Sequence, residues 1–162
     1  MTRLAGVLAD LDAAGAFDEP EFFLPQRSDR YARRLVHLDP DRRFVVVAIT
    51  WAPGQGSPLH DHAGLWGVEI VARGIMHETV FRLEERDDRG RYRFADPRPG
   101  VTARGQIGVL IPPLEYHDFG NGGEAVAHTV HVYGGNLTHA QAFVPDGDGW
   151  HRATAVELHY DG

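Results

Sequence analysis

An all-β domain, built as a sandwich or barrel, is predicted by three observations. Short runs rich in Val, Ile, Thr and aromatic residues fill most of the chain, clusters of Gly, Pro, Asp and Asn separate them, and only one stretch has helical spacing. That stretch comes first. Leu4, Val7, Leu8 and Leu11 recur at three- and four-residue intervals between Thr2, an N-cap residue type, and Gly15, so residues 3–14 are expected to form a short amphipathic helix packed on the outside of the main body. Phe22 and Phe23, followed by Pro25, read as a connector that tucks apolar weight under the domain.

From Tyr31 the pattern turns to period two or to continuous β-branched runs. Strands are expected over residues 31–38, 44–51, 66–72, 77–83, 91–94, 106–111, 125–133, 140–144 and 154–159. Asp39-Pro40-Asp41, Asp87-Asp88-Arg89-Gly90, Asn121-Gly122-Gly123 and Asp146-Gly147-Asp148-Gly149 supply turns between them. Residues 1–30 are read as a helix and connector lying on a barrel of residues 31–162, with no internal repeat.

Composition narrows the function. A chain of 162 residues suffices for one domain with a real core. Sixteen Lys and Arg against twenty-three Asp and Glu, a net charge of −7, argue against a nucleic-acid binder or a polybasic membrane anchor and favour small-molecule chemistry. No basic segment leads into an apolar run and no stretch approaches membrane-span length, so a soluble, cytoplasmic protein is expected, monomer or homodimer. The absence of cysteine excludes disulfides, thiolate-bound zinc, iron–sulfur ligation and a cysteine nucleophile.

Two groups of residues carry chemistry. In His60-Asp61-His62 the histidines, two apart on an expected strand, share a face and can reach one metal ion while Asp61 faces away. Alone the pattern is weak, because alternating histidines are commonly surface residues. A third neutral nitrogen from a distant strand would complete one face of an octahedron and leave the other positions for substrate and oxygen. In Thr129-Val130-His131-Val132-Tyr133, period two puts Thr129, His131 and Tyr133 on one face, where a hydroxyl can orient an imidazole that orients a phenol. The bland alternative is three inward side chains satisfying one another.

The surrounding spacing adds weight to the histidine pair. Gly54 precedes His60 with five residues between, Gly74 closes the next strand, and Pro112 is followed by His117 and then Asn121. These spacings resemble the two cupin motifs, which implies a cupin barrel (a double-stranded β-helix, or jelly roll) with His60, His62 and His117 as metal ligands. The motif's glutamate falls at or next to Gly67, where there is no side chain to coordinate. The resulting three-histidine site is neutral, and a divalent iron there could accept a substrate thiolate without accumulating negative charge. The run from Thr129 to Tyr133 resembles the Ser-x-His-x-Tyr run of the cysteine dioxygenase and 3-mercaptopropionate dioxygenase family. Tyr31-Ala32-Arg33-Arg34-Leu35-Val36 resembles the strand on which that family carries the arginine for the substrate carboxylate, with the match on Arg33. Arg34 is expected to face the other way.

The resemblance runs from Tyr31 to about Tyr160. It implies a mononuclear Fe(II) enzyme that oxidises a small thiol carboxylic acid, cysteine or 3-mercaptopropionate, to its sulfinic acid with O2. Tyr133, held by His131 and Thr129, would be the catalytic phenol beside the metal. Three departures bear on substrate. The thioether crosslink of the animal enzymes is impossible without cysteine, so Tyr133 acts unmodified beside Gly67. Glu69 faces inward if its strand is regular, where it could meet a substrate ammonium, pair with an arginine or act as a displaced ligand, and outward if a bulge intervenes. Asp118 stands where the family tends to place a basic residue. Trp66-Gly67-Val68 and Tyr133-Gly134-Gly135-Asn136 look like the 3-mercaptopropionate type, whereas Arg33 looks like the cysteine type. Arg33 and Glu69 both in the cavity would favour cysteine, and Arg33 alone 3-mercaptopropionate.

His128 has the parity of an outward residue, and His37, His77, His139, His151 and His159 lack a partner spacing. Two other readings remain at this point. One is another metal-dependent cupin enzyme, an isomerase or carbon–carbon-cleaving dioxygenase with Glu69 as fourth ligand; the other is a cupin that binds a small ligand without turnover.

Overall fold

The computed structural model describes residues 1–162, the side chain of Pro20 excepted. Helix α1 (Thr2–Ala13) and a 3-10 turn (Pro20–Phe22) lead into eleven strands. These are β1 (Ala32–Leu38), β2 (Val45–Trp51), β3 (Gly56–His60), β4 (Gly67–Arg73), β5 (Ile75–Arg86), β6 (Arg91–Ala103), β7 (Ile107–Leu110), β8 (Tyr116–Asn121), β9 (Ala127–Tyr133), β10 (His139–Pro145) and β11 (Trp150–Glu157). One sheet has the order β1-β2-β9-β4-β7. The other runs β10-β11-β6-β5-β8-β3 and closes where His60 of β3 pairs with Ala142 of β10.

Alternation explains the layering. On β9, Thr129, His131 and Tyr133 point to the interior between the sheets and Val130 and Val132 to the opposite face, and all five are buried. Inside, Val45, Val47, Ile49 and Trp51 of β2 pack with Val71, Met76, Phe119 and Leu137. On the outer face Ala48, Val68, Ile70, Ala72, Val130 and Val132 pack under Leu8, Phe17 and Phe23 of the N-terminal segment. A smaller cluster of Leu59, Tyr92 and Phe143 fills the far end of the second sheet.

The all-β class stands, and several boundaries are corrected. Strands β3 and β8 lie outside the expected ranges, although His60 and His62 were expected to share a strand; Gly56-Ser57-Pro58-Leu59-His60 and Tyr116-His117-Asp118-Phe119-Gly120-Asn121 both lack β-branched residues. Pairing with β8, β10 and β5 makes them strands despite weak local preference. Strands β5 and β6 run far past the expected 77–83 and 91–94, as one long antiparallel ribbon. Met1, not Thr2, is the N-cap of α1: its carbonyl accepts the Ala5 N–H and no side chain caps the helix. No helix among the described residues is long and apolar enough to cross a membrane.

Candidate functional site

His60 closes β3, whereas His62 lies past the strand end, so the pair does not share a regular strand as expected. The loop still returns both rings to one place. Asp61 turns away and holds that loop, its Oδ1 accepting the N–H groups of Ala63 and Gln141. His117 enters from β8, which pairs His117 with His60 directly. Ring centroids lie 4.8 Å apart for His60 and His62, 4.7 Å for His60 and His117, and 5.1 Å for His62 and His117. One ring nitrogen of each lies within 4.8 Å of the others.

Hydrogen bonds behind the rings fix which nitrogen faces inward. The Pro58 carbonyl, 2.9 Å from His60 Nδ1, can only accept, so that nitrogen carries the hydrogen and Nε2 keeps its lone pair for the cavity. Glu78 Oε1, 2.6 Å from His117 Nδ1, does the same for His117. Burial, then the neighbouring His117, pulls His60 down to about 3. Burial, then His60, His117 and His131, holds His62 well below the usual histidine range. His62 Nδ1 is a buried nitrogen without a hydrogen-bonded partner. Imidazoles oriented from behind by a carbonyl and a carboxylate, with one nitrogen of each converging on the same place, suit a borderline divalent metal that prefers nitrogen donors.

A polar relay forms the wall beside them. Trp51 Nε1 donates to Thr129 Oγ1 (2.9 Å), Thr129 Oγ1 lies 2.7 Å from His131 Nε2, and His131 Nδ1 lies 3.0 Å from the Tyr133 hydroxyl. An indole N–H can only donate, so the arrangement that satisfies every group has the Thr129 hydroxyl donating to Nε2 and leaves the hydrogen on Nδ1. Burial, and then Glu69, raise the Tyr133 phenol far above its usual value against the pull of Arg33, so Tyr133 is neutral. Its ring passes close to Gly67, where a Cβ would lie 3.2 Å from Tyr133 Cδ1.

Glu69 faces inward from β4, only 4% exposed. Its Oε2 is 3.1 Å from His131 Nδ1 without the alignment of a hydrogen bond. Burial opposes its charge, but contact with His131 holds its carboxyl below the usual range. Glu69 groups with Glu78 and His117 rather than with the converging nitrogens of all three histidines, which disfavours it as a fourth ligand. Gly108, its partner on β7, makes the room: a Cβ there would come within 2.9 Å of Glu69 Cγ and Oε1.

Arg33 is also 4% exposed and lines the same cavity, together with Tyr31, the three histidines, Glu69, His131 and Tyr133. Its Nη1 and Nη2 donate only to carbonyls, those of His159 and Leu137, among the described residues. The structure thus brings every residue nominated from sequence into one cavity or onto its wall, Thr129 standing behind His131. Others were not nominated: Trp51, Glu78, Gly108 and Leu158. Glu78 meets His117 because it lies two residues before Val80, the register partner of His117, and so shares its face, a relation that no spacing along the chain reveals.

The remaining readings sort simply. Asp118 points away from the cavity and accepts the Thr79 N–H at 2.9 Å, a β5–β8 tie. His128 stacks on Phe23 under the outer face, with centroids 4.1 Å apart. His37, His77, His139 and His159 are exposed. Burial, then Asp61, pushes Glu115, two residues before His117, up to about 7.

The architecture is the cupin double-stranded β-helix, and solved structures agree. A cupin 2 conserved barrel domain protein from Rhodopseudomonas palustris is similar at 18% identity, over 78% of this chain and 77% of that one (TM-score 0.53). The protein TT1209 from Thermus thermophilus is similar at 19% identity, over 72% and 94% of the two chains (TM-score 0.52). An oxalate oxidase in complex with glycolate is similar at 20% identity over 67% of this chain, which spans about half (53%) of that one (TM-score 0.50). At these identities the likeness concerns the fold. Within the fold, the family model for cysteine dioxygenase type I matches residues 15–144, and the chain belongs to that family. The family implies a cupin thiol dioxygenase.

Proposed function

We propose that this chain is a non-haem Fe(II) thiol dioxygenase that converts a small thiol carboxylic acid to its sulfinic acid, with a zwitterionic amino thiol acid such as cysteine preferred over 3-mercaptopropionate. One observation carries the substrate assignment: Arg33, a buried guanidinium paired only with carbonyls, shares the cavity with the three histidines and the buried carboxylate of Glu69. A buried cation without a counter-charge is costly, and a substrate carboxylate would relieve that cost bidentately. Glu69 offers the matching site for an ammonium group.

His60, His62 and His117 would hold the iron through their inward nitrogens, and the neutral donor set leaves the ion's positive charge available to a thiolate. When bound, the iron supplies the electron transfer that lets dioxygen react with a thiolate. The protein's own residues do the rest. Arg33 and Glu69 fix the two ends of the substrate, which turns encounter into a positioned reaction. Tyr133 is kept neutral by burial, so its hydroxyl serves as a donor toward the reacting groups, while His131 and Thr129 hold it in place. Aromatic and aliphatic walls from Tyr31, Trp51, Phe119 and Leu158 keep water out. The overall change, R–SH + O2 → R–SO2H, balances without an external reductant.

The test is anaerobic loading of the protein with iron, addition of cysteine or 3-mercaptopropionate, and admission of oxygen. Equimolar oxygen uptake and sulfinate, with cysteine the better substrate, are expected. No oxygen consumption with any small thiol acid would refute the reading.

A further inference from the structure

The side chain of Arg33 is fixed from outside the sheet that carries it. Nη1 donates to the His159 carbonyl (3.5 Å), Nη2 to the Leu137 carbonyl (3.3 Å), and the guanidinium carbon lies 5.1 Å from the centroid of the Tyr160 ring. Two of these three contacts come from the segment after β11, residues 158–161, which belongs to no strand. Long bonds to neutral carbonyls orient a guanidinium without satisfying its charge.

That segment is tied at its start by the Leu158 N–H, which donates to the Thr138 carbonyl at 2.8 Å, and at its end by Asp161, whose side chain is 10% exposed. Its carboxylate is gripped by both terminal nitrogens of Arg30, accepts from Arg27 Nη1 at 3.3 Å, and accepts the main-chain N–H of Arg33 at 2.9 Å. In return the Asp161 N–H donates to the Arg33 carbonyl at 2.7 Å, and one step along the Leu35 N–H donates to the Gly162 carbonyl at 3.1 Å. The segment is thereby zipped along the free edge of β1. Tyr160 stands over the guanidinium of Arg33, with its own hydroxyl tied to Asn136 Oδ1 (2.9 Å). Leu158, at the start of the segment, lines the cavity. An edge seal would need only the main-chain bonds; two arginines on one acid add a clamp at the residue that sets the register.

We propose that Asp161 is a positioning residue for substrate recognition. By clamping residues 158–161 to β1 it holds Tyr160 and the His159 carbonyl against Arg33, and so sets the angle at which the guanidinium receives the substrate carboxylate. This rests on the reading of Arg33 as the carboxylate-binding group.

The test is a double-mutant cycle in the full chain, read two ways: binding of 3-mercaptopropionate to metal-free protein by tryptophan fluorescence, and KM for cysteine in the iron-loaded protein. Asp161→Ala is expected to weaken both by about tenfold, with kcat falling far less. Asp161→Glu should recover part of the loss. In an Arg33→Ala background, Asp161→Ala should cost nothing further, because its effect passes through Arg33. Losses that add across the cycle, or a fall in kcat with binding and KM unchanged, would overturn the clamp. If Asp161→Ala does not fold, Asp161→Asn, which keeps the acceptor for the Arg33 N–H and drops the charge, carries the same cycle. A parent that binds 3-mercaptopropionate but oxidises no thiol refutes the proposed function and leaves the binding cycle to decide the clamp. A parent that binds no carboxylate refutes both.

Discussion

The two faces of the β1-β2-β9-β4-β7 sheet share the same strands and have little else in common. Toward the N-terminal segment, Ala48, Val68, Ile70, Ala72, Val130 and Val132 make an unbroken apolar surface under Leu8, Phe17 and Phe23. Toward the cavity, the alternate positions carry Arg33, Glu69, Thr129, His131 and Tyr133, all at most 6% exposed. Both faces gain stability from apolar burial, the inner one through Val45, Val47, Ile49, Trp51 and Val71, but only the inner one also spends some of it, because each buried charge or polar group must be desolvated and matched. Buried polar groups are therefore confined to one register of β4 and β9, and substitutions one position apart there should fail in different ways.

The largest effect is expected on the apolar face. Ile70→Ala should lower the unfolding free energy by about 2–5 kcal/mol, read from denaturant curves, while KM for the thiol in the folded fraction stays at the parent value. A shift in KM would mean that the faces are coupled through the strand. On the cavity face the neighbouring change, Glu69→Leu, should leave stability equal or higher and raise KM for cysteine about tenfold, with 3-mercaptopropionate little affected. Equal losses with both thiols would remove Glu69 from substrate recognition. The smallest effect is expected from Gly108→Ala. The new Cβ displaces the Glu69 carboxylate, so KM for cysteine should rise about threefold in the parent and not at all in a Glu69→Leu background, where the carboxylate is gone.

This division also explains what was legible in the sequence. Strand β9 could be read with its parity because Thr129, His131 and Tyr133 alternate with Val130 and Val132, a full period-two signal on a strand buried on both sides. Arg33 and the three histidines came from motif spacing, which survives in the fold even though His62 stands beyond its strand. The ranges of β3 and β8 were not legible because Gly56-Ser57-Pro58-Leu59-His60 and Tyr116–Asn121 lack β-branched residues and their pairing is supplied by neighbours distant in sequence. Glu69 could be placed on a face but not given a partner, since the space it needs comes from a missing side chain at Gly108 on β7. Asp161 gave no local signal, because its meaning lies in Arg27, Arg30 and Arg33 at the other end of the chain.

The contact between Gly67 and the Tyr133 ring has a consequence for the life history of the molecule. A cysteine at position 67 would bring a thiol against this ring, and a link formed between them after folding would divide the population into joined and unjoined copies. Here the ring rests on bare backbone, with a tight 3.2 Å left for any Cβ, and no thiol exists to react. Freshly folded and aged copies alike carry no cysteine–tyrosine link at this position, and the phenol on the cavity wall is the same in each.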